Sequence, residues 1–554
     1  MNSKEIRSWT SKFIDDHGRA PRVLHIGNIA NNAWQNAKLM NKVEGTTSTV
    51  FCPDAYHCMG VPEWEEAEFD ASEIEDQFYP QWWKVNLNGY VRPKFFIQGP
   101  RAACLAYLTG HGQRKVSWEE LRKLAGVQRV RWWEKLLIRA RLGNVQRIPY
   151  YIVSAIVIAI PAMVLFLKGG RKAVTIKQVS DVRKTIWNGV FSNERIRKIW
   201  DRLRVKGMED VERLEHLTEL VGDFKKRFPD RDDQLTLDDF RGYPVGRSWE
   251  LLFEQFDIIQ GYSTAPINPM IADVSYFAFE HGTLRDIPFE DSPRGRLTSL
   301  AYARAEHVFV TNFDCLDNAH MLAGDPSRVT LINHPFDEND LPDTAECSDL
   351  RRQLREELDS DFLIFFPTRH DWVEGKGYND KANDRLLEAV GKLRGNDESI
   401  GLILCDWGHN QAESRSLIDQ LSYANHVKWV SPQATRRFMK MCCACDVVAD
   451  QFQLGSFGGI LFKAMATGTP ILTYLDEQEM LKMYPSVPPV LNAKTVTEIV
   501  DLLTEAVSNS KLLDKIGLGG RQWIKEYHSG GETTSNQMIQ YEKYLKRIGK
   551  IDPI

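Results

Sequence analysis

The 554-residue chain lacks an excess of charge of either sign, with 70 Lys and Arg against 75 Asp and Glu. A net charge of −5 gives no sign of a nucleic-acid partner. The opening MNSKEIRSWTSKF has no apolar core, so no secretory leader is expected there. The nine cysteines (Cys52, Cys58, Cys104, Cys315, Cys347, Cys405, Cys442, Cys443 and Cys445) are odd in number and lie mostly in apolar stretches. That pattern excludes a disulfide framework and points to reduced thiols in a cytoplasmic compartment. Cys442, Cys443 and Cys445 stand close together, but no second Cys/His pair lies at ligand spacing, so no metal is expected. Internal repeats are also missing, beyond a loose duplication of the two halves.

Long apolar runs are absent too, with one exception. IPYYIVSAIVIAIPAMVLFL, from Ile148 to Leu167, has no charged, amide or imidazole side chain. As a helix it would reach about 30 Å, the thickness of a bilayer's hydrocarbon core.

What is present is an alternation of strands and helices, at a length that calls for two or three domains. In the first half RVLHIGN (22–28), STVFC (48–52), FDIIQGYS (256–263), YFAFEHG (276–282), HVFVTN (307–312) and RVTLINHP (328–335) read as short buried strands. The second half repeats the grammar in FLIFFPTR (362–369), GLILCDWG (401–408), VKWVSP (427–432), DVVADQF (446–452) and TPILTY (469–474). Such alternation predicts two parallel α/β sheets covered on both faces, joined near NHPFDENDLPD (333–343). The expected division is a first domain over 1–337, a second over 338–530 and a C-terminal helix over 531–554 packing back on the first domain. An interruption of about 64–250, highly charged apart from the apolar run, sits within the first domain.

In open parallel sheets ligands bind beyond the carboxyl ends of the strands. FFPTRHDWVEGKG (365–377) places Arg369 at a strand end and Lys376 seven residues later, two cations suited to a diphosphate. DQFQLGSFGGILFKAMATGTPIL (450–472) runs from a strand end, Asp450, through Gly455, Ser456, Phe457, Gly458 and Gly459 into a helix. Glycines before a helix N-terminus let backbone N–H groups approach a phosphate.

These pieces, with DWG (406–408) and VKWVSP between them, resemble the donor-binding domain of retaining glycosyltransferases of family 4. The resemblance is strongest over 340–530. It implies the GT-B architecture, two Rossmann-like domains facing a cleft, and transfer of a sugar from a nucleotide-diphospho-sugar with no cofactor and no metal. By that resemblance Arg369 and Lys376 hold the diphosphate, and Asp406, Trp429 and Val430 border the nucleotide base. The turn from Gly455 to Gly459 and its helix, with Lys463, hold the distal phosphate, ribose and sugar. His281, in FEHGTLRDIPF (279–289), contacts the donor sugar and orients it. One departure is plain: the family's two glutamates around the turn are Gly455 and Lys463 here, and an ammonium cannot accept a ribose hydroxyl. Ribose recognition is therefore expected to differ, through Asp450 or with Lys463 facing phosphate.

On the first half, IGNIANN (26–32) offers Gly27, Asn28 and Asn31 to the same cleft, and Asp54, Arg285 and Asp286 are candidates for the acceptor. A single membrane crossing at 148–167 would split strands that belong to one sheet. Pro161 permits a bend, and basic residues flank the run: six between 129 and 147 against one acid, and four between 168 and 177 with none. With Trp132 and Trp133 at the interface, the segment is expected to dip into an anionic cytoplasmic membrane face. The alternative is a protein-buried hairpin or a dimer contact. The expected function is a membrane-associated transferase acting on a lipid-linked saccharide or glycolipid. A soluble transferase on protein or a small molecule, and a non-catalytic nucleotide-sugar-binding subunit, are the alternatives.

Overall fold

The computed structural model describes residues 3–43, 45–52, 58–69, 85–98, 211–243, 245, 247–373, 380–396, 398–455 and 458–551. Lys376, Ser456, Phe457, Asp54, Trp132, Trp133 and the run Ile148–Leu167 lie outside these residues. No described helix is long and apolar enough to cross a membrane.

The strands of the first half are β1 (Arg22–Ile26), β2 (Thr47–Cys52), β3 (Phe96–Gln98), β4 (Ile258–Tyr262), β5 (Phe277–Phe279), β6 (Val308–Val310) and β7 (Val329–Leu331). They form one sheet in the order β3-β2-β1-β4-β5-β6-β7, every pair parallel. β1 pairs with both β2 and β4, so the expectation that strands on either side of the long interruption share one sheet holds. The second half contributes β8 (Phe362–Phe366), β9 (Ile400–Cys405), β10 (Val427–Val430), β11 (Val447–Ala449), β12 (Ile471–Thr473) and β13 (Leu491–Asn492). Their order is β10-β9-β8-β11-β12-β13, again all parallel. In both sheets the order reverses direction beside the first strand, which opens a crevice at the carboxyl ends there.

The apolar runs follow from cover on both faces. In β8 all five residues are buried. Leu363 and Phe365 pack with the helices Thr344–Leu358 and Thr435–Ala444, while Phe362, Ile364 and Phe366 pack with the helix Asn383–Gly395. Alternate side chains thus serve two cores, and no polar face is left to show a period of two.

Within the expected interruption of 64–250, two parts are integral to the first half. β3 closes the sheet edge against β2. The helix Val211–Arg227 puts Leu217, Leu220 and Phe224 into the same core as Leu24 and Phe51, joined by Trp249 and Leu252. The C-terminal helix Gly530–Arg547 packs Met538, Tyr541 and Leu545 against Trp9, Trp34 and Phe277 of the first half. Its Gln537 donates to Asn36 Oδ1 at 2.8 Å, and its Tyr541 hydroxyl donates to Gln260 Oε1 at 2.6 Å. These buried polar bonds fix the helix's register on the sheet as well as its position. Cys52, Cys315, Cys347, Cys405, Cys442 and Cys445 are buried free thiols, and no metal-binding cluster occurs among the described residues.

Candidate functional site

The carboxyl ends of both sheets contribute to one inter-domain region. At the end of β8, Arg369 Nε donates to Asp371 Oδ2 at 2.9 Å. Asp371 also receives the backbone N–H and Nδ1 of His409, both at 2.8 Å. Burial works against its ionised form, but the His409 bonds and the Arg369 charge hold the carboxyl below its ordinary range. A charged carboxylate thereby aims the guanidinium.

Lys381 is the cation that sequence reasoning missed. It stands two positions before the helix Asn383–Gly395, just after a segment outside the described residues. Its backbone N–H donates to Asp371 O at 2.8 Å, and its own carbonyl accepts from Phe452 N–H at 3.1 Å. Those bonds tie it to the strand end carrying Arg369 and to the loop after β11. Burial lowers its pKa, Asp450 opposes this, and the charges of Arg369 and of Arg285 from the first half reinforce it. Lys381 thus lies within electrostatic reach of one cation from each half. The residue following Lys381, Ala382, adopts a left-handed backbone (φ 48°) at the helix entrance. A Lys two positions before a helix is the signal that could have found it.

Asp450, at the end of β11, is buried, and its Oδ1 accepts the Thr368 hydroxyl at 2.8 Å. Burial raises its carboxyl above the ordinary value, against the Thr368 bond and the Lys381 charge. Beyond it runs the glycine turn. Gly455 has φ +74°, and a Cβ there would stand 2.8 Å from the Tyr474 ring, so only glycine fits unstrained. Gly458 caps the helix Gly459–Thr467 and brings its backbone against Asp450, whose Oδ2 would lie 3.1 Å from an added Cβ. The N-terminus of this helix and the cations after β8 form the kind of environment that holds a phosphate.

Trp429 on β10 is half-buried. The Arg415 guanidinium sits 3.8 Å from its ring centroid, and the His370 ring lies 5.1 Å away. Arg415 also pairs with Asp406 at 3.0 Å. Asp406 N–H donates to Val430 O at 2.7 Å, which binds the two segments expected to border the base to each other.

On the first half, His281 follows β5. Asn32 Nδ2 approaches His281 Nδ1 at 3.0 Å, so the neutral ring accepts there and carries its proton on Nε2. Burial, then the Arg285 charge, depresses its pKa to about 4. Its ring meets His334 edge-on at 5.0 Å, and His334 stacks on Phe462 of the glycine-turn helix at 6.2 Å. Arg285 donates through Nε and Nη2 to Asp314, at 2.5 and 3.0 Å. Asp286 is exposed.

Asn28 and Asn31 were expected as donors to sugar or phosphate oxygens, yet both are fully buried. Asn28 Nδ2 donates to Asn31 Oδ1 and Gly60 O, each at 2.8 Å, and its Oδ1 accepts from Trp34 N–H. Asn31 Nδ2 donates to Val61 O at 3.0 Å. Their amides hold the left-handed turn at Gly27, Ala30 and Asn31 together, and Asn32 is the residue of that turn that reaches His281.

Lys463, in the glycine-turn helix, reaches across to the first half. Its Nζ lies 3.0 Å from Thr435 Oγ1 and 3.4 Å from Glu65 Oε2, and Glu65 also accepts from Asn31 and Gln35. Glu65 belongs to the helix Pro62–Glu66 and was not singled out in the sequence, because no local motif marks a residue whose partner is 398 positions away.

Half of the chain resembles several solved structures at low identity. HepE of Anabaena, in complex with UDP and glucose, has a TM-score of 0.43 and 16% identity, over 53% of this chain and 80% of that one. Sucrose-phosphate synthase of Thermosynechococcus elongatus gives 0.39 and 15%, over 54% and 75%. TarM gives 0.38 and 13%, over 51% and 54%. No curated protein matches the chain. Residues 375–523, the segment carrying Lys381, Asp450, the glycine turn and Lys463, match the family described as Glycosyl transferases group 1.

Proposed function

We propose that the protein is a glycosyltransferase that moves a sugar from a nucleotide-diphospho-sugar to a hydroxyl acceptor with retention of configuration. The observation that carries this is that hydrogen bonds gather Arg369, Lys381 and Asp450 at the strand ends of the second sheet, beside the glycine turn that opens the helix Gly459–Thr467. The segment match to group 1 glycosyl transferases supports it. Arg369 and Lys381, with Lys376, bind the diphosphate and stabilise the charge that develops as the bond to the sugar breaks. The acceptor oxygen attacks the anomeric carbon from the face the diphosphate leaves, and the acceptor proton passes to the departing phosphate oxygen. Neutral His281 offers Nε2–H to a sugar hydroxyl and orients it. Lys463 is engaged with Glu65 and Thr435, so ribose recognition falls to other groups, among them Asp450 beside Gly458.

In this proposal the acceptor is a saccharide carried on a lipid, and the protein works at the cytoplasmic face of a membrane. The support is the apolar run from Ile148 to Leu167 with its basic flanks and Trp132 and Trp133. Thermal unfolding with a panel of nucleotide-diphospho-sugars tests the donor site, since a ligand of the native state raises apparent stability. One nucleotide class stabilising the protein supports the proposal, and no shift with any member argues against it. Sedimentation with anionic vesicles, with and without residues 148–167, tests the membrane part.

A further inference from the structure

A cavity of about 540 Å³ opens at the amino-terminal ends of the inner strands β5 and β6 of the first sheet. Phe277 and His307 line it at the starts of β5 and β6, so it faces away from the strand ends that form the transfer cleft. Five cations surround it: Arg227, Arg304, Arg328, Lys543 and Arg547. The carboxylates that answer them are Glu306, paired with Arg547, and Asp223, which Arg227 and Arg304 share at 2.8 Å each. Three positive charges are left in excess. Arg328 donates to the carbonyls of Ala303, Ala305 and Ala323 and has no carboxylate within ion-pair distance among the described residues. Lys543 makes no hydrogen bond or ion pair among them and is exposed.

The simplest account of cations here is that they cap helix ends. Arg304 and Arg547 do lie in the last turns of the helices Pro293–Arg304 and Gly530–Arg547, where carbonyl dipoles attract positive charge. Two features exceed capping. Lys543 stands a full turn back from its helix end, pointed at no carbonyl, and the wall between the cations is a recess rather than a flat surface. The field inside is positive enough to act on His307: burial, then Lys543 and Arg328, lower its imidazole to about 4. Tyr544 and Phe277, with ring centroids 5.6 Å apart, supply an apolar wall. The volume lies within the roughly 300–1,000 Å³ of small-molecule sites.

We propose that this basic recess binds a phosphate-bearing anion at a site separate from the sugar-transfer cleft. Guanidinium forks and an uncommitted ammonium match phosphate oxygens in geometry and charge. The phosphate belongs either to a soluble phosphorylated compound or to a lipid headgroup, and the test separates them.

Calorimetric titration with inorganic pyrophosphate is carried out on full-length Arg369→Ala protein, in which binding at the transfer cleft is weakened. The same background carrying Lys543→Glu, and separately Lys543→Gln with Arg547→Gln, gives the comparison, with thermal unfolding confirming that each variant is folded. Sedimentation of the same proteins lacking residues 148–167, with phosphatidylcholine vesicles containing phosphatidic acid, forms the second arm. Pyrophosphate binding that weakens at least tenfold in the Lys543 variants supports a soluble ligand. Vesicle binding that falls at least as much in those variants, with no pyrophosphate binding, supports a lipid phosphate. Equal binding by parent and variants in both arms, or none in either, overturns the proposal.

Discussion

Lys463 Nζ sits 3.4 Å from Glu65 Oε2, joining the helix behind the glycine turn to the short helix Pro62–Glu66 of the other half. The Glu65 side chain is 7% exposed, so removing Lys463 leaves a nearly buried carboxylate with only amide partners. Lys463→Met is expected to cost about 1–3 kcal/mol in denaturant unfolding. Lys463→Glu, which sets two carboxylates face to face, should cost more. Adding Glu65→Lys to it should recover part of the loss, with a coupling of roughly 0.5–3 kcal/mol. Strict additivity in this cycle would show that the pair does not join the halves.

Gly455 bears on the missing family glutamate. Its φ of +74° and the 2.8 Å approach to the Tyr474 ring leave no room for a side chain. Introducing Glu there should not restore a family-type site. We expect Gly455→Glu to lose about 1–2 kcal/mol from backbone strain alone, and to weaken donor binding because the turn shifts. A variant with raised activity and unchanged stability would contradict this account of the turn.

Acid lability follows from the histidines between the halves. His281 is held at about 4 and His528 at about 3, both chiefly by burial, and His334 is lowered well below its ordinary value for the same reason. Phe462 links them, stacking with His528 at 4.9 Å and with His334 at 6.2 Å. Each imidazole charges near 6.5 in the unfolded chain but stays neutral in the fold until far lower pH. Stability is therefore fully present above about pH 6.5 and falls as pH drops through 6.5 towards 4, by up to about 1.4 kcal/mol per histidine per unit. Unfolding measured at pH 7.5, 6 and 5 checks this, and His528→Phe, which keeps the stack, should flatten the acid limb. A stability that rises between pH 6.5 and 5 would refute it.

Much of this arrangement was legible in the sequence. Apolar runs such as FLIFF and GLILC marked the central strands, because strands buried on both faces need no polar side. β13 escaped, being an edge strand of only two residues, and β3 escaped because it lies within the stretch 64–250 that reads as an interruption. Arg369 and the glycine turn were recognisable because each is a local motif at a strand end. Lys381 was obscured by its distance from Arg369 along the chain, and Glu65 and His334 by partners that only folding brings near. Asn28 and Asn31 illustrate the converse error. A polar side chain at a strand-end turn looks like a ligand donor, but here the carbonyls of Gly60 and Val61, about thirty positions along the chain, claim the two amides.

Lys381 should matter as much as Arg369. Its ammonium is exposed to the charges of Asp450, Arg369, Asp371 and Arg285, and its backbone ties the two donor-side loops together. Lys381→Ala is expected to lower sugar transfer about 10²–10³-fold, with a smaller effect from Lys381→Arg, which keeps the charge. Equal losses in the two variants would assign Lys381 a packing role instead of a charge-stabilising one.

The most direct test of the donor site is release of nucleoside diphosphate from a panel of nucleotide-diphospho-sugars by the wild-type protein and by Arg369→Ala. Turnover of at least one donor, lowered about 10²–10³-fold in Arg369→Ala with the fold intact, is the predicted result. No donor consumed by the wild type, or an Arg369→Ala variant that releases nucleoside diphosphate at the wild-type rate, would contradict the assignment.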